Sequence, residues 1–423
     1  MHGHMSTHAT QTARNAATDT PGLVRWGAAA STARTLASAG PKFSTNQAIP
    51  VVEDIRAKAE ASVEHVHRIT GLEAARDLRD SEVLVVDRAG WATAAVGGFR
   101  EMLDPPLRAA LAERFPGGLP LSLRLGGYGV AAELGGLVAF LASHVLGQYD
   151  PFSTTADAPG GRLLLVAPNL VQVQRKLEVD AADFRLWVAL HEQTHRVQFA
   201  AAPWLREHLA GLIAELAVGM VSRSGGSGGL KASVSALGGG VRGDVSGKGD
   251  PVPDAAGQGL ISLVTGPRER QALSDITAVM SLLEGHANVV MDSVDTDVIP
   301  TVATIRERFE QRGSTRSALQ KLIMRLIGMA AKQRQYSDGA AFVRAAVEQL
   351  GMGGFNTVFT SAEHLPTEQE LHAPERWIER MRGGAGTGAG TGVGTGAGDG
   401  SAPGATSGAE AGAGSGPGER EAR

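Results

Sequence analysis

The sequence predicts a helix-rich α+β fold in which a small sheet supports several long helices. Three observations carry this expectation. Apolar residues recur at helical spacing along most of the chain between Val51 and Met381. Only two short β-branched or leucine-rich runs, Val83–Asp87 and Leu163–Ala167, read as buried strands. Of the 56 glycines, ten lie between Ser224 and Gly249 and sixteen between Gly383 and Arg423, so the rest of the chain has ordinary core-forming composition. Roughly 330 residues then remain to build a core.

The elements follow in order. Residues 1–20 are polar and read as a disordered arm, and ordered structure begins near Pro21. Val51–Ile69 carries an amphipathic helical pattern. The Val83–Asp87 strand leads to a helix bearing Trp91, and Leu123–Leu146 is an apolar helix that ends at Gly147-Gln-Tyr-Asp150 before Pro151. The Leu163–Ala167 strand closes at Pro168 and Asn169. Asp180 stands at an N-cap position, with Asp183 in the first turn, so a helix over Ala181–Ala200 is predicted, limited by Pro203. A second apolar helix covers Trp204–Val221.

Residues 222–253 break this pattern with Gly, Ser and isolated charges and read as a flexible insertion. Helical texture resumes over Ser274–Asp292 and Ile305–Leu350, and Pro366–Met381 gives a closing turn and short helix. The Gly/Ala/Thr-rich residues 383–423 cannot bury a core and are expected to be a disordered tail. One domain over residues 21–382 is therefore expected.

Charge and cysteine content narrow the function classes. Forty Lys and Arg against 44 Asp and Glu give a net charge of −4, without the basic footprint of a nucleic-acid binder. Cysteine is absent, so a metal must rest on His, Asp and Glu. Residues 1–20 lack the apolar core of a secretory signal, which makes a cytoplasmic location the expectation. Gly126–Leu146 approaches bilayer-spanning length, but Glu133 and His144 interrupt it, so a buried helix is expected and membrane insertion is not.

The chemistry is concentrated in His191-Glu192-Gln193-Thr194-His195, inside the predicted Ala181–Ala200 helix. Four positions are about one helical turn, so both imidazoles leave the same face and each can offer a ring nitrogen to one cation. Glu192 lies one position along, where it can lean over an open metal position and take a proton from water. Two nitrogens, a carboxylate and a retained water suit a single catalytic zinc.

A third ligand is required. Glu284 in Leu282-Leu-Glu-Gly-His286 is the first candidate, since Gly285 removes a side chain where a second helix must approach the metal-bearing one. Glu215, twenty positions after His195, and His286 are the alternatives. His286 points roughly 200° around the helix from Glu284, which argues against both binding one ion. Asp292, eight positions after Glu284, is a candidate to orient a ligand imidazole from behind.

These stretches resemble a zincin-like metallopeptidase family common in actinobacteria, whose members are often labelled as associated with biosynthesis of a deazaflavin coenzyme. The resemblance rests on His191–Phe199 with Pro203-Trp-Leu-Arg206, on Met280–Ala287 with Met291-Asp292, on Val86-Asp-Arg88 with Trp91, and on Val145–Asp150. Lys332–Gly339, Leu365-Pro-Thr367, Pro374 and Trp377 add to it, so it spans about Trp26 to Met381. It implies a zincin-type, gluzincin-like zinc site acting on a peptide or protein substrate. The coenzyme label supplies no chemistry, because the glycines of residues 383–423 follow no strand and open no helix as a nucleotide-binding loop would.

Among other polar residues, Tyr336 could stabilise the oxyanion formed when water attacks a carbonyl. Tyr149 and Asp150 are expected to fix a turn, and Glu207 and His208 to lie at the surface. The leading expectation is peptide hydrolysis with Glu192 as general base. Metal-assisted amide hydrolysis of a small molecule and a non-catalytic metal-stabilised scaffold are the alternatives.

Overall fold

The computed structural model describes residues 22–223, 266–311 and 336–385. Residues 1–20, nearly all of 222–253 and most of 383–423 lie outside them. The described elements are α1 (Trp26–Leu36), α2 (Thr45–Thr70), β1 (Ser81–Val86), α3 (Arg88–Arg114), α4 (Leu121–Leu141), β2 (Gly147–Asp150) and β3 (Gly161–Val166). They continue with α5 (Ala167–Leu177), α6 (Ala181–Ala201), α7 (Leu205–Arg223), α8 (Pro267–Asp292), α9 (Val302–Gln311), α10 (Tyr336–Phe355), α11 (Glu368–His372) and α12 (Pro374–Ala385). The fold is predominantly helical with one three-stranded sheet, as the sequence predicts.

The sheet has the order β1-β3-β2, with β1 parallel and β2 antiparallel to the central β3. Alternate side chains divide its two faces. Leu165 of β3 joins Val83 and Val85 of β1 in a core shared with α2, α6, α8 and α10. Leu164 and Val166 join Leu84 and Val86 in a second core with Trp91, Ala95 and Val138 from α3 and α4. β3, covered on both sides, therefore reads as a continuous apolar run, which is why the sequence reveals it.

Two expectations about this sheet change. Gly147–Asp150, expected to end a helix in a turn, is instead the edge strand β2, and the apolar helix stops at Leu141. The carboxylate of Asp150 does govern the following turn, accepting from the amides of Phe152 and Ser153 and pairing with Arg162 at 3.1 Å. The Tyr149 hydroxyl donates to the Gly160 carbonyl, and burial pushes its pKa up to about 12. Pro168 and Asn169, expected to close a strand, open α5, where proline suits the first turn because its missing N–H is not needed there. None of the described helices is long and apolar enough to cross a membrane.

Gly285 serves a different approach from the one expected. A Cβ at Gly285 would lie 2.3 Å from the backbone carbon of Gly339, and a Cβ at Gly339 would lie 2.1 Å from the Ser281 carbonyl oxygen. α8 and α10 thus touch backbone to backbone, and this crossing, rather than the approach to α6, excludes a side chain at both positions. Gly285→Ala is expected to destabilise the protein by roughly 1–3 kcal/mol, since only a backbone shift can relieve the contact. An unchanged urea midpoint in that variant would mean the helices separate freely.

Candidate metal centre

α6 begins as its sequence dictates. The Asp180 carboxylate accepts from the amides of Ala182 and Asp183, both at 2.9 Å, and so satisfies two of the donors that open the helix. Phe184, Leu190 and Val197 are fully buried along its length. Two of its buried polar side chains tie it to other parts of the chain. Gln193 donates to the Ala59 carbonyl of α2 at 2.7 Å, and Arg196 donates to Asp80 and to the Leu78 carbonyl just before β1. The helix is thereby fixed in rotation as well as position, and His191 and His195 face a partly open site, with 21% and 15% of their side chains exposed.

The two imidazoles converge. Their Nε2 atoms are 3.3 Å apart and their rings are nearly perpendicular, at 89°. α8 packs alongside and brings the Glu284 carboxylate within 3.7 Å of His191 Nε2 and 3.8 Å of His195 Nε2. Ligands bound to zinc at 2.0–2.1 Å in a tetrahedron are about 3.4 Å from one another, so the three donors already stand near the required separations. Burial holds the His191 pKa down to about 3, aided by His195, so its lone pair is free for a cation. Burial first, and His195 acting against it, leave Glu284 with a raised pKa. Among the described residues this is the only group of three or more His, Asp and Glu side chains placed to hold a metal ion.

Glu192 is 6% exposed. Burial, with the neighbouring Glu284 carboxylate adding to it, pushes its pKa up to about 8. Its position depends on β2. In the row Val85, Leu165 and Gly147 across the sheet, the first two side chains enter the core shared with α6, and the third position has none. A Cβ at Gly147 would fall 2.6 Å from Glu192 Cγ and 2.8 Å from its Cδ. The glutamate occupies the space that this glycine leaves.

Other candidates lie elsewhere. Glu215 is exposed on α7 and is outside the cluster. Glu207 is exposed, and the half-buried His208 stacks edge-on against Trp204. His286 is fully buried one layer behind the cluster. Asp292, at the exposed end of α8, bonds Arg344 at 2.7 Å rather than a ligand imidazole. Eight positions rotate a helix by about 80°, which takes Asp292 off the face of Glu284. Tyr336 opens α10, and its side chain lies outside the described residues. A groove of about 500 Å³ lined by Arg34, Asp87, Gly90, Thr93 and Arg162 shares no residue with the cluster.

Sequence reasoning missed Gln198. His195 Nδ1 donates to Gln198 Oε1 at 3.0 Å, and Gln198 Nε2 donates to the Leu283 carbonyl at 2.8 Å and to His286 Nδ1 at 3.0 Å. The available signal was its spacing: a long polar side chain three positions after a ligand, between Val197 and Phe199, falls beside that ligand on the helix.

A histidine pair one turn apart and a carboxylate from a second helix, with a buried acid next to the first histidine in sequence, are a donor set that suits zinc. Comparison with known proteins agrees with that reading. The family model described as zincin-like metallopeptidase matches residues 24–378, and the chain belongs to this family. A crystal structure from Chloroflexus aurantiacus, described as that of a presumed hydrolase with a novel fold, is similar at 27% identity and a TM-score of 0.59, covering 85% of this chain and 99% of that one. No curated protein matches the chain. The family implies a zinc cofactor, and His191, His195 and Glu284 fit one in donor chemistry and spacing.

Proposed function

We propose that the protein is a zinc-dependent peptidase in which His191, His195 and Glu284 hold the metal and Glu192 is the general base. The observation that carries the reading is the convergence of the three donors beside a buried glutamate whose carboxyl forms no ion pair among the described residues. Bound there, zinc supplies Lewis acidity toward a carbonyl and toward a water. The Glu192 carboxylate takes a proton from the attacking water and delivers it to the leaving nitrogen. Burial first and the Glu284 carboxylate second disfavour the Glu192 anion, and a cation bound by Glu284 would favour it. The missing side chain at Gly147 gives the Glu192 side chain its room beside β2.

We favour an extended peptide over a compact small molecule as the substrate. β2 is the edge of the sheet, and its first residue contacts Glu192, so a strand added along that edge is led to the base. The proposed catalytic body covers residues 21–382, with 222–253 as an insertion and 1–20 and 383–423 as appendages. A role in deazaflavin metabolism finds no support in these side chains. Incubating the zinc-loaded protein with a mixture of peptides and identifying products by mass spectrometry tests the reading. New termini that vanish with chelator are expected, and an intact mixture together with turnover of small amides would move the activity to amidohydrolysis.

The buried acid also predicts how the zinc-free protein responds to pH. Folded Glu192 keeps its proton to about pH 8, whereas an unfolded glutamate loses it near 4.5, so the folded state carries the extra proton between these values. Stability therefore falls as pH rises through that window, by up to about 1.4 kcal/mol per pH unit for each such proton. His191 and His286 act oppositely, since each binds a proton near 6.5 when unfolded and only near 3 when folded; together they offset the Glu192 slope at pH 6.5, and their contribution fades above it. With chelator present, the urea midpoint is expected to drop between pH 6.5 and 8. A rise over that interval would contradict the buried-acid assignment.

A further inference from the structure

We propose that Gln198 is a positioning residue that locks His195 in the tautomer able to ligate zinc, and that the buried His286 is the prop that holds Gln198 in place. The inference rests on the zinc reading above and extends it to two residues outside the donor set.

The hydrogen-bond roles follow from one unambiguous partner. The Leu283 carbonyl can only accept, so the Gln198 atom 2.8 Å from it is the amide nitrogen. The amide oxygen is then the atom facing His195 Nδ1 at 3.0 Å, and because it can only accept, Nδ1 carries the proton. His195 Nε2 is left with its lone pair directed at His191 Nε2 and Glu284. The second amide hydrogen of Gln198 points at His286 Nδ1, 3.0 Å away, which must accept it. His286 consequently carries its proton on Nε2, an atom buried without a hydrogen-bond partner among the described residues. Its ring is enclosed by Phe355 and Phe359, with centroids 5.2 and 5.4 Å away.

The chain Leu283–Gln198–His195 also ties both helices of the site together. Gln198 belongs to α6, while Leu283 and His286 flank Glu284 on α8. The same amide that sets the tautomer of one ligand therefore docks the helix that carries another. A buried imidazole that spends its one acceptor on this amide, with no partner for its donor among the described residues, carries a desolvation cost that the amide contact helps to offset.

Gln198→Met keeps length and volume but removes every one of these bonds. Zinc affinity measured by competition with a chromogenic chelator is expected to fall about 10–100-fold. In the zinc-free full-length protein, imidazole nitrogen NMR should show His195 protonated at Nδ1 in the wild type and a mixture of tautomers in Gln198→Met. A variant with wild-type zinc affinity and an unchanged tautomer would overturn the proposal, as would a wild-type His195 protonated at Nε2. If Gln198→Met does not fold, the wild-type tautomer alone decides. Neither readout involves turnover, so failure here is distinct from failure of the peptidase reading, which would appear as zinc-loaded protein with no cleavage.

Discussion

Glu192→Gln is expected to keep a full complement of zinc while losing about a hundredfold to ten-thousandfold in turnover, the usual contribution of a positioned general base. The substitution is nearly isosteric, so it preserves the fit against Gly147 and leaves the three donors untouched. Two further readouts separate a lost base from a disturbed fold. The zinc-free variant should no longer lose stability between pH 6.5 and 8 through this side chain, because it has no buried carboxyl to ionise there. Gly147→Ala, which drives a methyl group to within 2.6 Å of Glu192 Cγ, should also depress turnover with zinc retained. Wild-type cleavage rates in Glu192→Gln would remove Glu192 from the mechanism.

His191→Ala, His195→Ala and Glu284→Ala are each expected to abolish stoichiometric zinc, and Glu215→Ala to leave it intact. The three donors lie within 4.8 Å of one another, whereas Glu215 is exposed on a different helix. Zinc present at a thousand times its dissociation constant stabilises a protein by about 4 kcal/mol, so the three variants should also lose the melting-temperature increase that zinc gives the wild type. His286→Ala is expected to bind zinc at full stoichiometry but more weakly, through the loosened Gln198 amide. Full occupancy in Glu284→Ala, or zinc lost only in Glu215→Ala, would reassign the carboxylate ligand.

The parts of this architecture that were legible in the sequence are those set by local patterns. The His191–His195 spacing, the Asp180 cap and the β-branched run of β1 each state their structure within a few residues. Of the helical texture expected over Ile305–Leu350, residues 312–335 lie outside the described ones, and its last helix is kinked at Gly351, whose φ of +71° lies where glycine is favoured. What was missed depends on partners distant in sequence. In Gly147-Gln-Tyr-Asp150 only Tyr149 favours a strand, and the segment is extended because β3 pairs with it. Pro168 and Asn169 carry turn signals, yet Asn169 spends its amide on the Ala142 and Val145 carbonyls and so pins the start of α5 to the end of α4. Gly285 was recognised as a close-approach residue, but the sequence does not say which helix it meets.

The same contrast between near and distant partners orders assembly of the metal centre. His191 and His195 are four positions apart, so this half-site exists wherever that stretch is helical, even before tertiary structure forms. Glu284 is 89 positions beyond His195 and reaches it only after α8 has docked. Closing so long a loop costs conformational entropy that a two-histidine site does not repay. On the proposed ligand set, zinc bound by the two histidines alone would be held weakly and exchange, whereas zinc bound after docking would be held by both helices. Tight retention of the ion would then report that two distant parts of the chain have found each other.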